Sequence, residues 1–157
     1  MVRHSAWMRR EKKMSTDTRE LDAIKNAPNP GAAAGAWWAF ALRDPNFDNG
    51  DDSTAGAMAQ NLAQILSEGN PQEASSLEIF AGKLASKVNE ALARAGDWGI
   101  SVRVDYHPDI MLSEAADEAN LTIPMMAWPW KTNMSVTASR VSVRAGYGAD
   151  SEVIWGE

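Results

Sequence analysis

This chain contains no cysteine, which removes disulfides, a thiolate nucleophile and any thiolate-held metal at once. Histidine is nearly as scarce: one of the two lies in the basic start of the chain, so any histidine general base of the body must be His107. No apolar run approaches the length needed to cross a bilayer. Nor does an apolar stretch follow the basic residues at the start, which excludes a secretory signal. Phosphate-loop, dinucleotide, zinc and serine-hydrolase motifs are missing too, and "GYGA" has the spacing of none of them.

At 157 residues the chain suits one domain with a real core, and its 45% hydrophobic and 23% charged residues fit a globular protein. Seven tryptophans are many for this length, and tryptophan marks cores and interfaces because an indole is costly to leave in water. Charge is unevenly spread. Residues 1–13, "MVRHSAWMRREKK", hold five basic residues and Glu11, a net of +4, while residues 14–157 hold ten basic and twenty acidic residues, a net of −10. Residues 1–16 therefore read as a flexible basic leader before a single domain at 17–157. The leader is either a passive tail or an arm for nucleic acid or an anionic membrane surface. It is the one expected nucleic-acid contact, since the acidic body has the wrong sign and suits a basic protein instead.

A short polar helix is expected near residues 17–26. "NAPNPGAAAGAWWAF", residues 26–40, is rich in Asn, Pro and Gly and reads as a loop pinned by Trp37, Trp38 and Phe40. In "DDSTAGAMAQNLAQILSEG", residues 51–69, Ala55, Met58, Leu62 and Ile65 recur at helical spacing. The best-marked helix has Asn70, Pro71 and Glu73 at its start, the stripe Leu77, Phe80, Leu84, Val88 and Leu92, and Gly96 as its stop. Glu90 and Arg94 are spaced for an i,i+4 pair.

From Trp98 the period becomes two. In "WGISVRVDYH", Ile100, Val102, Val104 and Tyr106 share one face, and Ser101, Arg103 and Asp105 the other. "HPDIMLSEAADEAN" follows as a helix with Pro108 in its first position and Asn120 as its C-cap. The chain then returns to strand in "AWPWKTNMSV", residues 127–136, and this strand–helix–strand order favours parallel pairing. Trp128, Trp130, Thr132, Met134 and Val136 alternate onto one apolar face, while Pro129 cannot donate to a ladder and places that end at a sheet edge, at a bulge or outside the pairing. A tight turn at Ala138 and Ser139 sets Val136 opposite Val141, Met134 opposite Val143 and Trp130 opposite Tyr147. "EVIW" adds a last short strand. The fold class expected is α+β: a two-layer domain with a three- or four-stranded mixed sheet and helices packed on one face.

Two clusters carry chemistry-bearing residues. "DYHPD" places Asp105, His107 and Asp109 at a strand-to-helix turn, where α/β units favour ligands. There His107 is a catalytic base oriented by the two acids, or it caps the helix while Asp109 matches the helix dipole. "RDPNFDNGDDS" sets Asp44, Asn46 and Asp48 at positions one, three and five of a calcium-loop pattern. Gly50 and Ala55 then break that pattern, and a solvated loop explains the same residues. No cofactor is expected. For binding, Trp128, Trp130, Lys131 and Tyr147 are the candidate residues, with a sheet edge offering a place for a partner to dock.

The segments "WPWKTNMSV" and "RVSVRAGYGADSEVIW" resemble small phage- or prophage-encoded proteins of uncharacterised function. That resemblance implies a small accessory protein rather than a housekeeping enzyme and supplies no catalytic residues. Three function classes follow. The first is a non-enzymatic, cytoplasmic interaction protein that binds a basic protein partner. The second is a small enzyme at Asp105, His107 and Asp109, and the third an assembly component that oligomerises through a Trp-rich sheet edge.

Overall fold

The computed structural model describes residues 18–43, 74–105, 107–123, 127–129, 131–146 and 148–156. Within them lie helices α1 (Thr18–Lys25), α2 (Pro30–Arg43), α3 (Ala74–Ala95) and α4 (Ile110–Glu118), and strands β1 (Ile100–Val104), β2 (Thr132–Val136), β3 (Arg140–Ala145) and β4 (Glu152–Gly156). The fold is α+β, as the residue pattern predicts. The calcium-like Asp44, Asn46 and Asp48, the helix expected at 51–69, and the caps Asn70, Pro71 and Glu73 lie outside the described residues.

The stretch that reads as a loop from residue 26 is a correction: most of it is α2. The residues that suggested a loop serve the helix instead. Asn29 is the cap, with its Oδ1 accepting the Ala32 N–H at 2.8 Å. Pro30 takes the first helical position, where a missing N–H costs nothing. Gly31 and Gly35 face α3, where a Cβ would stand 2.4 Å from the Ala85 carbonyl oxygen and 2.3 Å from that of Ala81 respectively. Composition typical of turns thus coincides with what close helix packing requires. Asn89 of α3 completes the cap: its Nδ2 donates to Asn29 Oδ1 at 3.0 Å, and its Oδ1 accepts the Gly31 N–H at 3.0 Å.

Helix α3 presents Leu77, Phe80, Leu84, Val88 and Leu92 to the core, all buried, and keeps Lys83, Glu90 and Arg94 in water. Glu90 and Arg94 do pair, at 3.3 Å. Gly96, at φ +63°, stops the helix in the left-handed conformation that favours glycine. Trp37 and Trp38 fill the space between α2 and its neighbours, both fully buried, with their rings edge to face at 5.0 Å.

The sheet runs in the order β1-β2-β3-β4 with every pair antiparallel. The parallel pairing expected for β1 and β2, and with it the mixed sheet, is therefore corrected. The cause lies after α4. Asn120, at φ +56°, forms a Schellman stop in which its N–H reaches Asp117 O and the Leu121 N–H reaches Ala116 O. The chain turns back, with Leu121 and Trp128 buried on the way, and Thr132 begins β2 opposite the last residue of β1, Val104. The helix is one arm of an out-and-back excursion rather than a crossover.

The β2–β3 register is the expected one, with Val136 opposite Val141 and Met134 opposite Val143. Strand β4 carries one extra residue, Ile154, between Trp155 opposite Val141 and Val153 opposite Ser142. Alternation then divides the sheet cleanly. Val102, Val104, Thr132, Met134, Val136, Val141 and Val143 are buried, whereas Ser101, Arg103, Asn133, Ser135, Arg140 and Arg144 are exposed. One face meets the helices and the other meets water, the arrangement antiparallel sheets allow.

Candidate functional site

The "DYHPD" turn does not assemble a triad. The Val104–Pro108 bridge and the Asp109 N–H to Arg103 O bond at 2.9 Å fold it back on β1. Pro108 therefore precedes α4 instead of occupying its first turn. Asp109 is the N-cap, its carboxylate accepting the Met111 N–H at 3.0 Å. Asp105 is mostly exposed and is held by the ammonium of Lys131, and His107 is exposed. Among the described residues no hydrogen bond joins either carboxylate to His107, and no group of three or more His, Asp or Glu stands ready for a metal.

The structure does bring together residues from the two stretches singled out in sequence. Lys131 sits at φ +56°, a left-handed conformation that costs a residue other than glycine about 1–3 kcal/mol. Its carbonyl accepts the Gly146 N–H at 2.9 Å, and its side chain reaches Asp105 across the end of β1. A depression of about 390 Å³ opens there among Arg103, Asp105, Lys131, Asn133 and Arg144. Arg103 faces Asn133 and Asn133 faces Arg144, so two guanidinium side chains flank one amide in a single cross-strand row. The next row is Ser101, Ser135 and Ser142, ending at Val153. Arg144 and Asn133 carried no motif, but the hairpin register that pairs Val136 with Val141 also pairs Asn133 with Arg144.

Trp128 is 6% exposed and packs against Phe80, ring centroids 6.3 Å apart, so it is a core residue. Trp130 and Tyr147 lie outside the described residues. Strand β2 is paired on both sides, so the Trp-rich segment leads into the middle of the sheet and an edge for oligomerisation there is corrected. Of the three places open to Pro129, the structure takes the one outside the pairing: it lies before the first paired residue, where it constrains no ladder. Among the described residues the exposed tryptophan is Trp98, at 94%. It occupies a short 3-10 turn, Gly96–Trp98, closed by the Gly99 N–H on Gly96 O at 3.3 Å. A depression of about 370 Å³ adjoins that turn, lined by Asp97, Thr137, Ala138, Ser139 and Arg140 of the hairpin end.

No protein-family model matches this chain, and no curated protein is significantly similar to it. Among the described residues no helix is long and apolar enough to cross a membrane. The surface itself carries the functional argument.

Proposed function

We propose that this chain is a non-enzymatic interaction protein that anchors a protein partner on Trp98. The exposure of that one indole carries the reading. Trp37, Trp38 and Trp128 are buried, and Trp155 is half-buried with its Nε1–H donating to Ala27 O at 2.9 Å. A tryptophan fully in water on a turn fixed between a long helix and a sheet has the form of a binding hot spot, where one rigid aromatic supplies much of the affinity. The resemblance to small phage-encoded accessory proteins supports the same class. A net charge of −6 favours encounter with a basic protein, with the anchor supplying the selectivity that charge does not.

Placing a photo-crosslinking phenylalanine derivative at exposed Asp97, beside an intact Trp98, in the full chain, in host cells, tests this. A discrete adduct with one other protein is expected, and no adduct from the same probe at exposed Ile79. An adduct only with a second copy of the chain would move the reading to self-assembly. No adduct at either position would overturn it.

A further inference from the structure

The uncovered sheet face has a charge unlike that of the whole chain. Positions 44–73 hold six acidic residues and no basic one, so much of the negative charge lies outside the described fold. The exposed alternating positions of β1, β2 and β3 hold arginine, asparagine and serine, and no acid. Of the nearby carboxylates, Asp105 is held by Lys131, Glu152 registers opposite Val143 on the covered face, Asp150 lies in the loop before β4, and Asp97 lines the hairpin-end depression together with Arg140. Arg103, Arg140 and Arg144 meet no carboxylate among the described residues.

We infer that this face binds the phosphate backbone of a nucleic-acid duplex, a function beyond the protein partnership at Trp98. Three features favour that occupant. The paired rows contain one apolar residue, Val153, at their margin, whereas a protein interface needs a desolvated apolar centre. Nucleic-acid interfaces are instead polar, cationic and wet. Arginine forks take phosphate oxygens two at a time, and Asn133 and the serines between them are hydrogen-bonding types that contact phosphate and sugar. No described residue in the rows is aromatic, so the face offers backbone contacts rather than the stacking platform single strands use. Adjacent strands lie about 4.8 Å apart, which puts the Arg103 and Arg144 columns roughly 10 Å from each other. The depression beside them admits a phosphate and its sugar. Net negative charge opposes the approach at long range. At about 0.1 M salt, however, the Debye length is about 10 Å, and the arginines at contact govern binding.

Fluorescence anisotropy of a labelled duplex of about two helical turns, titrated with the full chain, tests the inference. Saturable binding is expected near 0.1 M salt. With one phosphate each for Arg103, Arg140 and Arg144, the slope of log affinity against log salt should be about −2.7. The combined Arg103→Ala, Arg140→Ala and Arg144→Ala variant should lose binding tenfold or more with an unchanged circular dichroism spectrum. A full-length variant with Arg9, Arg10, Lys12 and Lys13 changed to alanine should keep it. Binding that follows the leader instead of the sheet face overturns the inference, as does no binding at all. So does polyglutamate competing as well as unlabelled duplex, which would assign the face to an acidic protein. Absence of duplex binding by the unmodified chain, with the adduct beside Trp98 still formed, would remove this inference alone.

Discussion

Gly35 of α2 lies so close to Ala81 of α3 that a Cβ on it would stand 2.3 Å from the Ala81 carbonyl oxygen. A backbone carbonyl inside a helix cannot swing aside, so Gly35→Ala must push the two helices apart along their contact. The expected cost is about 2–3 kcal/mol or more, read by chemical denaturation. Gly82, exposed in the middle of α3 with nothing within 4 Å of a Cβ, is the control. Gly82→Ala should stabilise by about 0.5–1 kcal/mol through helix propensity alone. Equal effects from the two substitutions would refute the close packing.

The same pair shows what the sequence made legible. Periodicity located α3, its buried stripe and its glycine stop, as well as the hairpin register, because each of those signals is local. Gly31 and Gly35 carried no local sign that a second helix would lie against them, since the partner surface is more than forty residues away in sequence. The strand order failed for a related reason. Whether a helix between strands crosses over or comes back depends on Asn120 and on where Trp128 is buried, and tertiary packing decides the second. The candidate site was half visible. Asp105 and Lys131 were both singled out, yet only the sheet joins them. Trp98 looked like the first residue of a strand and is an exposed turn residue.

Asn89 bridges α3 to the start of α2 through the Asn29 side chain and the Gly31 N–H. Asn89→Ala removes both bonds in a partly buried setting and leaves an orphan N–H at a helix end, so about 1–2 kcal/mol should be lost. Asn89→Asp keeps an acceptor beside the helix N-terminus but sets a carboxylate oxygen against Asn29 Oδ1, and should fall between alanine and wild type. If alanine is neutral in thermal melts, the bridge contributes nothing.

Lys87 of α3 and Glu118 at the end of α4 meet at 2.5 Å. The hydrogen bond from Lys87 holds the Glu118 carboxyl below its ordinary value of 4.5, and the same bond holds Lys87 above 10.5, with desolvation opposing both shifts. A depressed carboxyl stabilises the fold above its unfolded pKa and ceases to do so as pH falls through the folded one. A raised ammonium acts in the opposite sense, and its contribution is lost only as pH rises through its folded pKa. The stability difference between wild type and Lys87→Met should therefore stay flat from about pH 6 to 9 and shrink as pH falls below 4.5. A difference that changes near pH 7 would point to another titrating group.

Asp109 separates the structural from the catalytic reading of "DYHPD". As the N-cap of α4 it needs only an oxygen facing the Met111 N–H, and asparagine supplies one. Asp109→Asn should therefore leave stability within about 0.5 kcal/mol of wild type, whereas Asp109→Ala should cost about 1 kcal/mol. The His107 side chain is exposed, and no hydrogen bond joins it to either neighbouring carboxylate, while the backbone bond from the Asp105 N–H to its carbonyl survives the change, so His107→Ala should be silent in the same melts. Repeating them with millimolar zinc or magnesium completes the test. A capping carboxylate gives no cation-dependent rise in Tm. A rise abolished by both Asp109→Asn and His107→Ala would instead mark a metal site, and the turn would then belong to an enzyme.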